Sequence, residues 1–162
     1  MPREQPAQRT VRLSVLDRLL DERPEETREA PLALHEAFGQ LLKSVRRDLE
    51  WLLNTRLTWV DEPLLAAEQA ARSMATFGLQ DFSHENVSDP DARQRLRRAI
   101  EKSIALFEPR LTRVAVTAEA VEAHRRAIRF RIDAVLHVDP IRERVSFDTV
   151  VESHGDAQVV EH

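Results

Sequence analysis

The stretch Ile128–Val138, IRFRIDAVLHV, has one apolar and one polar side when laid out as a strand. Ile128, Phe130, Ile132, Ala134, Leu136 and Val138 occupy alternate positions, with Arg129, Arg131, Asp133 and His137 between them. Strand side chains alternate faces with a period of two, so the even-numbered residues belong to a core and the others to a largely polar surface. Asp139-Pro140 then supplies a turn with proline at its second position, and Val145, Phe147, Thr149 and Val151 alternate again. The two runs form a hairpin. Upstream, Leu111–Thr117 is short and valine-rich and reads as a third strand. Such a meander leaves unpaired backbone groups on both outer strands, where a neighbouring protein can add a strand.

Before these strands the period is helical. Leu34, Phe38, Leu41, Leu42, Val45, Leu49, Leu52 and Leu53 make a broad apolar stripe from Leu34 to about Arg56. Asp89-Pro90 gives an N-cap followed by proline, and Leu96, Ile100, Ile104 and Phe107 continue a helix that Pro109 ends. VRLSVLDRLLDE reads as a short amphipathic helix with Leu13, Leu16 and Leu20 on one face, followed by a charged linker with Pro24 and Pro31. LLAAEQAARSMATF, after Pro63, reads as a helix ending near Gly78. Helices first and strands after them predict an α+β fold, N-terminal helices packed on a small antiparallel sheet of about three strands. The expected layout is a disordered tail at 1–10, a single domain at 11–152 and a flexible C-terminal tail at 153–162.

A chain of 162 residues fits one domain with its own core. There are no cysteines, which excludes disulfides and thiolate metal sites. MPREQPAQRT lacks the apolar run of a secretory signal, so a cytoplasmic location is expected. The net charge of −4 argues against a nucleic-acid binder. Of 24 basic residues all but Lys43 and Lys102 are arginine, the residue suited to bidentate pairing with carboxylates, although a GC-rich genome gives the same bias.

Signals for chemistry are sparse. The histidines at 35, 84, 124, 137, 154 and 162 have no i, i+4 metal spacing. Three glycines, Gly39, Gly78 and Gly155, build no phosphate loop, and no serine sits in a nucleophile elbow. No catalytic residue, metal or cofactor is expected. Arg93, Arg95, Arg97 and Arg98 read as a solvated helix face, with Arg97 placed to pair with Glu101, or as a docking surface for an acidic partner. Glu108 is the tempting acid for glycoside hydrolysis, but Arg110 two residues away favours its charged form, the wrong state for a general acid.

Four segments carry a resemblance: SVLDRLLDE (Ser14–Glu22), SVRRDLEWLLNTR (Ser44–Arg56), FGLQD (Phe77–Asp81) and FEPRL (Phe107–Leu111). Their order and spacing resemble the TssE baseplate subunits of type VI secretion systems, which are similar to phage tail wedge proteins of the GPW group. The resemblance implies a structural part of the baseplate in the cytoplasm near the inner membrane. Its implied partners are the wedge proteins TssF, TssG and TssK and the sheath proteins TssB and TssC. It marks Glu108, Pro109, Arg110 and Leu111 as residues that grip the wedge, with Arg47, Asp48, Asn54 and Arg56 as further docking candidates. Pro109 fixes the chain between Glu108 and Arg110, and the Arg110 fork suits a partner carboxylate. The competing reading is a local Glu108–Arg110 clamp pinning helix to sheet. For Asn54 and Arg56 it is simple capping of the helix end, with Asn54 left-handed. The family has also carried a "lysozyme-related" label, which leaves peptidoglycan hydrolysis as the alternative function.

Overall fold

The computed structural model describes residues 14–19, 34–57, 69–82, 84–86, 89–122, 127–139, 141–152 and 157–161. The expected N-terminal tail and the linker around Pro24 and Pro31 lie outside them. In chain order come α1 (Val15–Leu19), α2 (Leu34–Asn54), two 3₁₀ turns (Ala70–Arg72 and Met74–Thr76) and α3 (Pro90–Phe107). The strands β1 (Leu111–Glu122), β2 (Ala127–Val138), β3 (Ile141–Glu152) and β4 (Ala157–Glu161) follow. They pair antiparallel in the order β1-β2-β3-β4. The fold is α+β, as the order of periodicities requires.

β2 is the centre of the core. Ile128, Phe130, Ile132, Ala134 and Leu136 are buried and Val138 half-buried, while Arg129, Asp133 and His137 are exposed. β3 meets β2 without a register break, from Ala127 opposite Glu152 to Val138 opposite Ile141. Phe147, Thr149 and Val151 therefore share the buried face. α2 lays Leu41, Leu42, Val45, Leu49, Leu52 and Leu53 on that face, and α3 adds Leu96, Ile100 and Ile104. Asp89 caps α3 by accepting from the Asp91 N–H at 3.0 Å.

Three expectations are corrected. The sheet has four strands rather than three, because Ala157–Glu161, assigned to the flexible tail, pairs with Phe147–Val151. Its Ala157 and Val159 are 5% and 2% exposed, so five alternating residues suffice once a core receives them. The helix drawn up to Gly78 is, in its described part, a pair of 3₁₀ turns broken at Ser73. Ser73 Oγ accepts from the Ala75 N–H at 3.3 Å and donates to the Ala70 carbonyl at 2.7 Å, local bonds that compete with a continuing helix. Finally, α2 does not end on a left-handed Asn54, since among the described non-glycine residues only Arg113 has positive φ.

The helices also reach the sheet's outer strands with side chains. On β4, the Ala157 N–H donates to Asn54 Oδ1 (2.6 Å), Asn54 Nδ2 donates to the Ala157 carbonyl (2.9 Å), and the Val159 N–H donates to Glu50 Oε1 (3.2 Å). On β1, the Val116 N–H donates to Glu101 Oε1 (3.0 Å), and Arg97 Nη1 lies 3.5 Å from the Val116 carbonyl. In each case two residues at i, i+4 on a helix complete an edge strand that would otherwise be open. Of the arginine cluster on α3, Arg97 thus pairs with Glu101 at 2.6 Å and Arg95 with Glu85 at 2.6 Å.

Gly78 stands where the chain returns past the end of α2. Its φ is +118°, and a Cβ there would lie 2.3 Å from the Thr55 carbonyl oxygen, which accepts from the Leu79 N–H at 2.9 Å. Gly39, inside α2, has nothing within 4 Å of an added Cβ. Urea unfolding should separate the two. Gly78→Ala is expected to lose more than about 2 kcal/mol through backbone strain and clash, and Gly39→Ala to gain about 0.5–1 kcal/mol of helix propensity.

Candidate functional site

α3 stops at Phe107 because Pro109 follows and pushes the residue before it out of helical geometry. The Glu108 N–H still donates to the Ile104 carbonyl (2.9 Å), and the Leu111 N–H donates to the Glu108 carbonyl (3.0 Å), so helix passes to strand through a tight turn. That turn buries Glu108, 4% exposed, and sets Arg110 beside it. Arg110 Nε donates to Glu108 Oε1 at 2.6 Å and Nη2 donates to Oε2. A carboxylate taken this far from water needs such a fork of charged donors.

The same guanidinium reaches across to α2. Nη2 donates to Asp48 Oδ2 at 2.5 Å and Nη1 to Ser44 Oγ at 3.0 Å. Asp48 Oδ1 accepts from Arg47 Nε (3.1 Å) and Nη2 (3.0 Å), and Arg47 Nη2 continues to Asp17 Oδ1 on α1 (2.9 Å). Ser44, 3% exposed, is the hub. It donates to Asp17 Oδ2 at 2.7 Å and accepts from Arg110, with Arg47 Nη2 at 3.4 Å, which uses the donor and both lone pairs of a hydroxyl. Ser14 closes α1 by accepting from the Asp17 N–H at 3.1 Å. Acid and base alternate from Glu108 through Arg110, Asp48 and Arg47 to Asp17.

Electrostatics follow from these contacts. Burial alone would raise the Asp17 carboxyl, but hydrogen bonds from Ser14, Ser44 and Arg47 outweigh it and hold the pKa below the usual 3.8. Burial acts against the charge on Arg110 and Arg47, and their carboxylate partners more than compensate, so both are held more firmly protonated than a free arginine. The side chains of Arg47, Asp48 and Arg110 keep 27%, 26% and 19% of their surface in solvent, forming a partly accessible rim. Beside it, α1 turns Val15, Leu16 and Leu19 outward, and Trp51 is exposed with the Arg47 guanidinium 5.4 Å from its ring centre. Of the face formed by Leu13, Leu16 and Leu20, only Leu16 lies among the described residues, and it is 38% exposed. Asp17 ties α1 to α2 through Ser44 and Arg47.

Of the eight docking candidates, Glu108, Arg110, Arg47 and Asp48 meet in this network. Pro109 is exposed at its edge, and Leu111 is buried in the core, 4% exposed. Asn54 lies apart, engaged with β4, and Arg56 bridges to Leu79 through its backbone. Asp17 and Ser44 were missed individually. The S-x-x-D spacing of Ser14 and Asp17 is a capping signature that marks the first. A lone small polar residue between Leu41 and Val45 on the apolar side of α2 marks the second. Both Glu108 oxygens are committed to Arg110, so the carboxylate is turned into the protein rather than toward a cleft. Among the described residues no cluster of histidine and acids could hold a metal ion, and no helix is long and apolar enough to cross a membrane.

Compared with models of protein families, residues 39–141 match the family described as baseplate wedge protein gp25. A search of curated proteins finds no match.

Two expectations concern the network. Arg110→Ala strands the buried Glu108 carboxylate and should cost about 2–4 kcal/mol in urea unfolding. Arg110→Lys should recover only part of it, because lysine keeps the charge without the fork. For pH, the Asp17 pKa is depressed by folding, so its contribution is complete above the unfolded carboxyl range and is lost as pH falls through the native value, below 3.8. Asp17→Asn should remove this contribution at neutral pH and flatten the acid limb of the stability curve.

Proposed function

The chain belongs to the gp25 baseplate wedge protein family, and from that premise we propose that it is the TssE-type baseplate subunit of a type VI secretion system. In this reading it is a structural part without catalytic activity, working in the cytoplasm. It docks to the wedge proteins TssF, TssG and TssK and links the baseplate to the TssB–TssC sheath.

One observation supports the reading most. The segments that carry the resemblance, scattered from Ser14 to Leu111 in sequence, converge in space. SVLDRLLDE supplies Ser14 and Asp17, SVRRDLEWLLNTR supplies Ser44, Arg47 and Asp48, and FEPRL supplies Glu108 and Arg110, all in one bonded network. FGLQD meets the end of the second segment, where the Leu79 N–H donates to the Thr55 carbonyl at 2.9 Å. A fold that needed only a core would not require these charged residues to meet at a partly exposed rim. The network holds the guanidinium groups rigid, so a partner can engage them at little further cost in side-chain entropy. The link to the sheath is assigned to an open strand edge, where a strand from the sheath protein can be added.

The test is capture of wedge proteins by the chain, with melts on the same variants. Arg110→Lys is expected to reduce capture by more than its folded fraction falls, because docking uses the rim whose geometry the fork sets. Capture that falls only in proportion to unfolding would leave Arg110 as a local clamp. Release of muropeptides from purified peptidoglycan, abolished by Glu108→Gln, would replace the structural reading with the hydrolase one.

A further inference from the structure

β1 carries one irregularity that packing of the core does not explain. Thr112 stands opposite Val135 and Ala115 opposite Asp133, so two residues, Arg113 and Val114, face the single residue Ala134. This is a bulge. Val114 is half-buried and packs against the core, while Arg113 is exposed. Arg113 also has φ 55°, the one positive φ among the described non-glycine residues. In that left-handed region the Cβ of an L-residue crowds the following carbonyl oxygen, so a bulge of this kind normally places glycine there. Asparagine and aspartate enter the region with help from their short polar side chains. Arginine has neither advantage.

The fold therefore uses the bulge but has no use for the arginine. Glycine or asparagine would build the same backbone with less strain. Among the described residues the Arg113 side chain makes no hydrogen bond or ion pair that would offset the strain. Asp133, opposite Ala115, lends its charge to Arg131. Thr112, Ala115 and Thr117 beside Arg113 on the strand are small and exposed, so β1 leaves its guanidinium uncovered. Strained non-glycine residues of this kind gather where a side chain meets a ligand. Arg113 follows Arg110 by three residues, within about 10 Å of chain. Arg110 and Arg47 are committed to acids of this chain, whereas the Arg113 fork is open to a carboxylate from outside.

We infer that Arg113 is a further docking residue, whose guanidinium, set by the bulge at the β1 end of the rim, takes a carboxylate of a wedge partner. The inference rests on the wedge docking proposed above and adds the residue and the partner's chemistry.

The test is wedge capture by the full chain, run beside urea unfolding, for Arg113→Asn, Arg113→Lys and Arg113→Glu. Arg113→Asn is expected to keep or raise the urea midpoint, because asparagine tolerates the left-handed backbone, and to weaken capture about tenfold. Arg113→Lys should capture at an intermediate level, since it keeps the charge without the fork. Arg113→Glu should capture less than Arg113→Asn, because it sets like charge against the partner's carboxylate. A lowered midpoint for Arg113→Asn would mean that the arginine serves the fold, and would overturn the inference. Equal capture by Arg113→Glu and Arg113→Asn, or capture lost on nuclease treatment, would overturn the carboxylate as ligand. Undiminished capture by Arg113→Asn would remove the inference alone and leave wedge docking standing. No capture by the unaltered chain would remove the docking reading, and this inference with it.

Discussion

The Glu108 carboxylate is the constraint from which the rest of the site follows. The turn at Pro109 buries it where helix becomes strand, and a buried charge must be paired and hydrogen-bonded. Arg110 is the nearest residue whose fork can do so. Once Arg110 is held, its remaining donors need acceptors on the facing helix, which Asp48 and Ser44 supply. Ser44 and Asp48 sit one turn apart, so this contact fixes both the rotation and the axial position of α2 against the α3–β1 junction. The same serine and Arg47 then seat α1. A pair of this kind adds little net stability over well-packed apolar residues. In a part of an assembly its value lies in geometry, because a stripe of leucines alone tolerates small shifts of one helix over a sheet.

The sheet faces the opposite problem. A four-stranded meander has two edges, and bare edges can pair with other copies of the chain. Two devices are visible. Bulges and the Val116 contacts disturb β1, and Asn54 with Glu50 completes β4. α2 thus serves three elements: its apolar stripe covers the sheet, Ser44 to Asp48 hold the charged junction, and Glu50 and Asn54 hold the last strand. Changes on the polar side of this helix therefore reach parts of the structure far apart in sequence.

Much of the fold was legible because its signals are local. The period-two pattern from Ile128 to Val138 settled which residues of β2 are buried, and the valine-rich run after Leu111 marked β1. The stripe from Leu34 to Leu53 marked α2, while Asp89-Pro90 and Pro109 bounded α3. The charged residues of the site were legible as candidates through the motifs that contain them. Their arrangement was not: Glu108 and Arg110 are two residues apart and were seen as a pair, but nothing local placed Asp48 against Arg110, 62 positions away. Asn54 read as a helix cap because a cap is the commonest local use of asparagine there, and its actual partner is Ala157, 103 positions on. The stretch before Gly78 read as one helix because its composition favours helix, and Ser73 overrode that preference with its own hydrogen bonds.

The sequence by itself determined the fold class, the faces of α2, α3 and β2, the β2–β3 hairpin and the family, because periodicity and motif order are properties of neighbouring residues. Tertiary structure alone decided that Ala157–Glu161 is a strand, that Asp17 ties α1 to α2, and that five charged groups and two serines form one network. The physical reason is common to all three. A five-residue strand has too few local bonds to declare itself. A hydrogen bond between distant residues depends on where the core brings them, which no periodicity along the chain records.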